Sequence, residues 1–561
     1  MSNVPEQVKQ RIIQVISDAV EKAKTAGQIQ FEHMPNFVLE VPREKSHGDF
    51  AANIAMLMAK EAKKSPRQLA EIILANLNTV DTWIEKVEIA GPGFINFHLN
   101  PAWVYEVLPV VAKMQENYGR SEVGHGKRVQ VEFVSANPTG LLHMGNARGA
   151  ALGDTLASCL DAAGYTVSRE FYINDAGNQI ENFGKSLEAR YFQLHGQEVP
   201  FPEDGYHGQD IIDTVKNIIA LEGDKYLNMD SALRKESLVR FALKEKLDNI
   251  KRVLESFGVN YDVWFSEQSL HESGAVRQVI EELQGKDLIY EQEGALWFRS
   301  TQFGDDKDEV VVRSNGTPTY FAADIAYHKN KFDRGFEWVI NIWGADHHGH
   351  VDRMKGAVAA VDYDPKQLDV ILMQLVRLYK GGEIVRMSKR SGEFVTLEDL
   401  IEEVGKDAAR YFFVMRGADS HLDFDMDLAK SQSADNPVYY VQYAHARICS
   451  ILRQLAEDGV KVPAMDQIPV ELLQDPAELE LLRKIADLPV EIVAAAQNME
   501  PHRMARYAHE LASVFHTFYN KCRVMVEDTQ LRDARLALVD ATRITLRNTL
   551  TILGISAPER M

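Results

Sequence analysis

Apolar positions in the first hundred residues follow helical and then strand periods. Within residues 6–25, Val8, Ile12, Ile13, Val15, Ile16 and Val20 recur at three- and four-residue intervals, which puts them on one face of an α-helix. Phe37-Val38-Leu39-Glu40-Val41 predicts a strand ended by Pro42. Asp49 predicts the start of a second helix to about residue 62, and Ser65-Pro66 the cap and first turn of a third to about Leu77. Alternation through Phe94, Asn96 and His98, after the Gly91-Pro92-Gly93 turn, closes residues 87–99 as a hairpin. Residues 1–115 thus predict an α+β module.

Past Lys127 the texture becomes strand, turn, helix. Residues 128–134, 165–172, 338–343 and 370–378 read as strands separated by helical segments, the pattern of a parallel α/β sheet. That domain is expected at 116–190 and 311–385, interrupted at 191–310 by an acidic, mostly helical insertion with strand signals near 288–297. Residues 386–435 read as a loop and connecting helices. After Asp435-Asn436-Pro437 the pattern is helical, predicting a bundle over 436–561. The fold class expected is multidomain α/β.

Composition narrows the setting. The 561 residues are 45% hydrophobic and 26% charged, as in ordinary globular chains, and no apolar run reaches the ~18 residues that a membrane span needs. The start, Met1-Ser2-Asn3-Val4-Pro5-Glu6, carries no basic and then apolar leader. Cys159, Cys449 and Cys522 are too far apart for a metal knuckle or a disulfide framework, so a reducing cytoplasm is expected. The net charge of -20 argues against a polyanionic partner until its distribution is read. The acid lies between residues 121 and 440, whereas 501–561 holds 9 basic and 6 acidic residues, which leaves room for RNA at that end.

Ser135-Ala136-Asn137-Pro138-Thr139-Gly140-Leu141-Leu142-His143-Met144-Gly145-Asn146 lies between a predicted strand and a predicted helix. A helix N-terminus offers free N–H groups to phosphate, Gly145 admits a nucleotide close to the backbone, and His143 supplies a donor. A turn with a satisfied surface histidine is the competing reading. Downstream, Arg386-Met387-Ser388-Lys389-Arg390-Ser391-Gly392 puts an ammonium on a flexible stem among hydroxyls, suited to following charge on polyphosphate. A planar guanidinium is best held by carboxylates and an aromatic hydroxyl. Glu132 fits that need, as do Tyr320 and Asp324, which share a face if they lie on one helical turn. A core aromatic at 320 and a helix cap at 324 are the alternatives.

With both motifs in view, the chain resembles the class I aminoacyl-tRNA synthetases, whose signatures are His-Ile-Gly-His and Lys-Met-Ser-Lys-Ser. More narrowly it resembles the bacterial arginyl-tRNA synthetases over essentially its full length. Three further blocks carry this: Trp343-Gly344-Ala345-Asp346-His347-His348-Gly349-His350, the segment from Asp435 to Arg447, and that from Ala512 to Asn520. The resemblance implies a Rossmann-like catalytic domain that joins L-arginine to tRNA(Arg) through an arginyl-adenylate, with ATP and its Mg2+ as substrate complex. His143, Asn146 and Lys389 would be catalytic, and Gly140, Gly145, Met387 and Ser388 would join them around ATP. Arginine would meet Glu132, Asn137, Tyr320, Asp324, Asp346 and His347. The bundle would bind the anticodon arm through Tyr440, Tyr443, Arg447, Arg543 and Arg547. The N-terminal module, with Lys60, Lys63, Lys64 and Arg67, would meet the tRNA elbow.

Two positions depart from the family pattern: Asn146 stands where histidine is usual and Arg386 where lysine is usual. His347-His348-x-His350 lacks the partners of a zinc site and is read as the edge of the ATP pocket, with no dedicated metal. A pocket built for a guanidinium should reject lysine without a second sieve, so no editing is expected. With no coiled-coil heptad in the pattern, a monomer is expected. The alternatives are another class I synthetase, for glutamine, glutamate or cysteine, and a catalytically silent arginine sensor or RNA scaffold.

Overall fold

The structure is a computed structural model that describes residues 3–42, 44–80, 82–385 and 395–561. Its centre is a five-stranded, all-parallel sheet of β1 (Arg128–Glu132), β2 (Thr166–Ile173), β3 (Val263–Ser266), β4 (Trp338–Gly344) and β5 (Leu368–Met373), ordered β5-β4-β1-β2-β3. Chain order reverses between β4 and β1, and ligands of open α/β sheets bind at the carboxyl ends of the strands beside such a reversal. Helix α1 (Met144–Ala162) follows β1. It lies hard against the sheet because Gly153 has no side chain: a Cβ there would sit 2.2 Å from the Phe133 ring. Helices α2 (Tyr320–Asp333) and α3 (His348–Ala360) flank β4.

Two expectations need revision here. The expected insertion at 191–310 is not wholly separate, because Val263–Ser266 pairs in parallel with β2 as the sheet's edge strand. The expected strand at 370–378 is two strands, β5 and Val376–Lys380, the second belonging to a small sheet with Leu422–Asp425 and Glu383–Ile384. The break falls at Gln374, whose carbonyl accepts from the fully buried Arg148 guanidinium at 2.8 Å and whose N–H donates to the Ala418 carbonyl. Continuous apolar sequence hides such a break, since both halves are strand.

In the N-terminal module, Val4–Thr25 and Pro66–Asn76 are helices as the periodicity predicts, the second opened by a Ser65–Gln68 capping box. Asp49 does not begin a helix. Its carboxylate accepts the Leu99 N–H at 2.7 Å, Phe50–Ala52 pairs with Phe94–Leu99, and the helix is only Ile54–Met58. The C-terminal bundle contains α4 (Pro437–Glu457), α5 (His502–Lys521) and α6 (Thr529–Ile552). Its core includes Phe515 and Phe518.

Candidate active site

The loop after β1 is strained and then pinned. Val134 and Ser135 have φ of 70° and 40°, a conformation that is costly for a β-branched residue. The Ser135 hydroxyl donates to Glu132 Oε1 at 2.9 Å and accepts the Tyr172 N–H at 3.1 Å, which ties the loop to β2. The loop delivers His143 as N-cap of α1. His143 Nδ1 accepts the Gly145 N–H at 3.1 Å, so its proton sits on Nε2, and Asn146 Oδ1 accepts the His143 N–H at 3.0 Å. Asn146 is therefore the closing member of a capping box that fixes the helix end, a use the sequence does not reveal. Gly140 and the exposed Asn137 lie on the same loop, and a Cβ on Gly140 would meet open space.

The second signature, Arg386 to Gly392, lies outside the described residues, and with it Met387, Ser388, Lys389 and the Arg386 departure. On its far side, Thr396 bridges His143, and the Leu397 N–H donates to the Leu142 carbonyl at 2.9 Å. The segment seven residues beyond Lys389 is thus fastened to the first signature.

Tyr320 and Asp324 share one face of α2, as expected of a helical turn. The Tyr320 hydroxyl lies beside Gly177 in the loop after β2, 3.1 Å from where a Cβ would stand. Asp324 Oδ2 meets His350 Nε2 at 3.2 Å, and the His350 ring packs on Trp343. Asp346 and His347 are mostly exposed at the rim.

Glu132 is placed differently from the expectation of a carboxylate open to the guanidinium. It is buried, and Oε2 lies 2.5 Å from the ammonium of Lys331, a side chain with no exposure. Lys331 also donates to Asn341 Oδ1 at 2.8 Å, Asn341 Nδ2 donates to His328 Nε2 at 2.8 Å, and His328 Nδ1 donates to the Asp324 carbonyl at 2.8 Å. Burial, with the Lys331 charge adding to it, keeps His328 neutral by pushing its pKa well below the usual range.

A buried carboxylate that the sequence reading does not single out lies near Asp324. Glu267 opens the helix after β3, lies 3.6 Å from His271 Nε2, and is within electrostatic reach of Tyr172, Asp324 and Asp175. Burial, with the nearby charges of Asp324 and Asp175 adding to it and Tyr172 opposing, raises its pKa to about 7. Among the described residues neither Asp324 nor Glu267 is ion-paired with a lysine or arginine. The sequence signal for Glu267 is a short apolar run, Val263-Trp264-Phe265, followed by Ser266-Glu267, within the segment that reads as an insertion.

In the bundle, Tyr440, Tyr443 and Arg447 come together along α4. Tyr443 is 39% exposed and stacks on Tyr439, Tyr440 stacks on His509 of α5, and the Arg447 guanidinium lies 4.3 Å over the Tyr519 ring. Arg543 and Arg547 of α6 are not part of this cluster; they lie near His445 instead.

This sheet, with a capped helix after its first strand and an acidic pocket at its carboxyl edge, is the catalytic architecture of the class I aminoacyl-tRNA synthetases. Residues 108–419 match the family described as tRNA synthetases class I (R), catalytic domain. Residues 7–99 match Arginyl tRNA synthetase N terminal domain, and 441–561 match DALR anticodon binding domain. The arginine--tRNA ligases of Heliobacterium modesticaldum and Moorella thermoacetica are 67% and 64% identical to this chain, over 100% of each partner. The arginyl-tRNA synthetase of Thermus thermophilus shares the fold at a TM-score of 0.74 and 22% identity, covering 99% of this chain and 100% of that one. The chain belongs to the arginyl-tRNA synthetase family.

Proposed function

We propose that this protein ligates L-arginine to tRNA(Arg) through an arginyl-adenylate, and that one pocket at the carboxyl ends of β1, β2 and β3 holds the reacting groups. The observation that carries this reading is an acidic pocket, without a lysine or arginine on Asp324 or Glu267 among the described residues, beside a capped helix N-terminus. Asp324 and Glu267 supply the negative charge for the guanidinium, with Tyr320 as hydroxyl partner. Glu132, its charge offset by Lys331, shapes the floor. Asn137 takes the amino or carboxylate end, and Asp346 and His347 sit at the rim.

ATP lies across the N-terminus of α1, where Gly140 and Gly145 leave room for the nucleotide against the backbone and the His143 Nε2–H and the Asn146 amide donate to phosphate and ribose. Arginine's carboxylate attacks the α-phosphate and pyrophosphate leaves. Lys389, with Met387 and Ser388, follows that charge, and Mg2+ enters with the nucleotide. The terminal ribose of tRNA then attacks the adenylate carbonyl and AMP leaves. Tyr440, Tyr443 and Arg447 provide stacking faces for unpaired bases, with Arg543 and Arg547 as additional cations. The protein works as a monomer in the cytoplasm, in keeping with its three free cysteines.

Charging total tRNA with each of the twenty amino acids in turn tests the reading: arginine alone should be attached and retained. Comparable charging with another amino acid would overturn it. The raised pKa of Glu267 adds a pH signature. Its ionised form pairs with the guanidinium and protons compete with substrate, so KM for arginine should rise about tenfold from pH 8 to pH 6. Glu267→Gln should flatten that profile; an equally steep profile in the variant would remove Glu267 from the pocket.

A further inference from the structure

Arg410, in the helix Lys406–Val414, is among the largest fully buried side chains of the protein, and its guanidinium bonds lead to three distant parts of the chain. Nε donates to the Leu553 carbonyl at 2.8 Å, Nη1 to the Phe257 carbonyl at 3.2 Å, and Nη2 to Asp154 Oδ2 at 2.6 Å. Leu553 and Phe257 are the C-caps of α6 and of the long helix Ser231–Ser256. Both helices therefore point the negative ends of their dipoles at one buried cation. The third acceptor, Asp154, lies on α1, the helix that His143 caps.

This geometry goes beyond a generic buried pair. Asp154 is shared, its other oxygen accepting from Arg169 Nε of β2 at 3.0 Å, so α1 is gripped from the sheet and from Arg410 together. The chain end closes over the guanidinium only because residue 554 is glycine, with φ of 66°; a Cβ there would stand 2.3 Å from Nη2. A lysine could keep the charge but could not donate in three directions in a plane. The helix transmits position along its axis: Asp154 is eleven residues from His143, roughly 16 Å at ~1.5 Å per residue.

We propose that Arg410 is a positioning residue that makes the placement of the nucleotide-binding helix depend on where the last helix of the anticodon-binding bundle ends. A bundle seated on its cognate tRNA would hold Leu553 and Gly554, hence Arg410 and Asp154, in the register that sets His143 and Asn146 for catalysis. The inference rests on the tRNA ligase reading above.

The experiment compares arginylation of tRNA(Arg) with that of the same tRNA carrying an altered anticodon, for wild type, Arg410→Lys and Asp154→Asn. Both variants should lose about tenfold in kcat on the native tRNA with its KM within about twofold, while charging of the altered tRNA stays near the wild-type rate. Discrimination between the two tRNAs then falls about tenfold. Equal fractional loss on both tRNAs, or no loss on either, would show that Arg410 only holds the fold together and would overturn the proposal. Should Arg410→Lys not fold, the near-isosteric Asp154→Asn carries the same test. A wild-type protein that charges no tRNA with arginine would instead overturn the underlying ligase reading.

Discussion

Replacing Asp324 with asparagine is expected to lower kcat/KM for arginine by about three orders of magnitude, with KM for ATP and the unfolding midpoint nearly unchanged. The size follows from the lost partner. The guanidinium arrives with a full charge and gives up its water, and removing one of two carboxylates leaves it half-compensated in a partly buried cleft. The asparagine amide would also turn a donor toward a substrate that has only donors to offer at that end. Stability should hold because Asp324 keeps its backbone acceptor role toward His328 and loses only the contact with His350, which is partly exposed. Steady-state arginine titrations with saturating ATP and tRNA measure the effect. A loss below about fivefold would move the specificity charge to Glu267 alone.

How much of this site the sequence discloses depends on whether its geometry is local. The Tyr320 and Asp324 pair needs only a helical turn, and the helix is there. The capped start of α1 is likewise legible, because strand, turn and small-residue helix follow each other within about twenty residues. What stays hidden is made by tertiary pairing. Nothing in the local pattern marks Lys331, yet its ammonium is sealed against Glu132, 199 residues away in sequence. Glu267 and β3 stay hidden because a four-residue edge strand is too short for its period to stand out from the helices around it. The placement of Arg543 and Arg547 is hidden for another reason: composition groups all cations of the bundle, whereas the fold puts these two on α6, near His445, and Arg447 on α4 over the Tyr519 ring.

The Glu132–Lys331 pair also sets the largest expected change in stability. Lys331→Met leaves a carboxylate in a site it was folded into as half of an ion pair, with the Ser135 hydroxyl as its one remaining donor among the described residues, and strips Asn341 Oδ1 of its donor. Breaking a buried pair from one side costs about 3–5 kcal/mol, whereas removing both charges with similar shapes can be nearly neutral. Urea unfolding followed by the fluorescence of Trp338 and Trp343 on β4, next to β1, should report the loss in Lys331→Met. Glu132→Gln combined with Lys331→Met should recover most of it. If the single variant unfolds within about 1 kcal/mol of wild type, the pair is not what holds this part of the sheet. Recovery of stability without recovery of arginine charging would separate the two roles of Glu132: its charge then matters to the strained Val134–Ser135 turn that aims the first signature, and its bulk to the floor beneath the substrate.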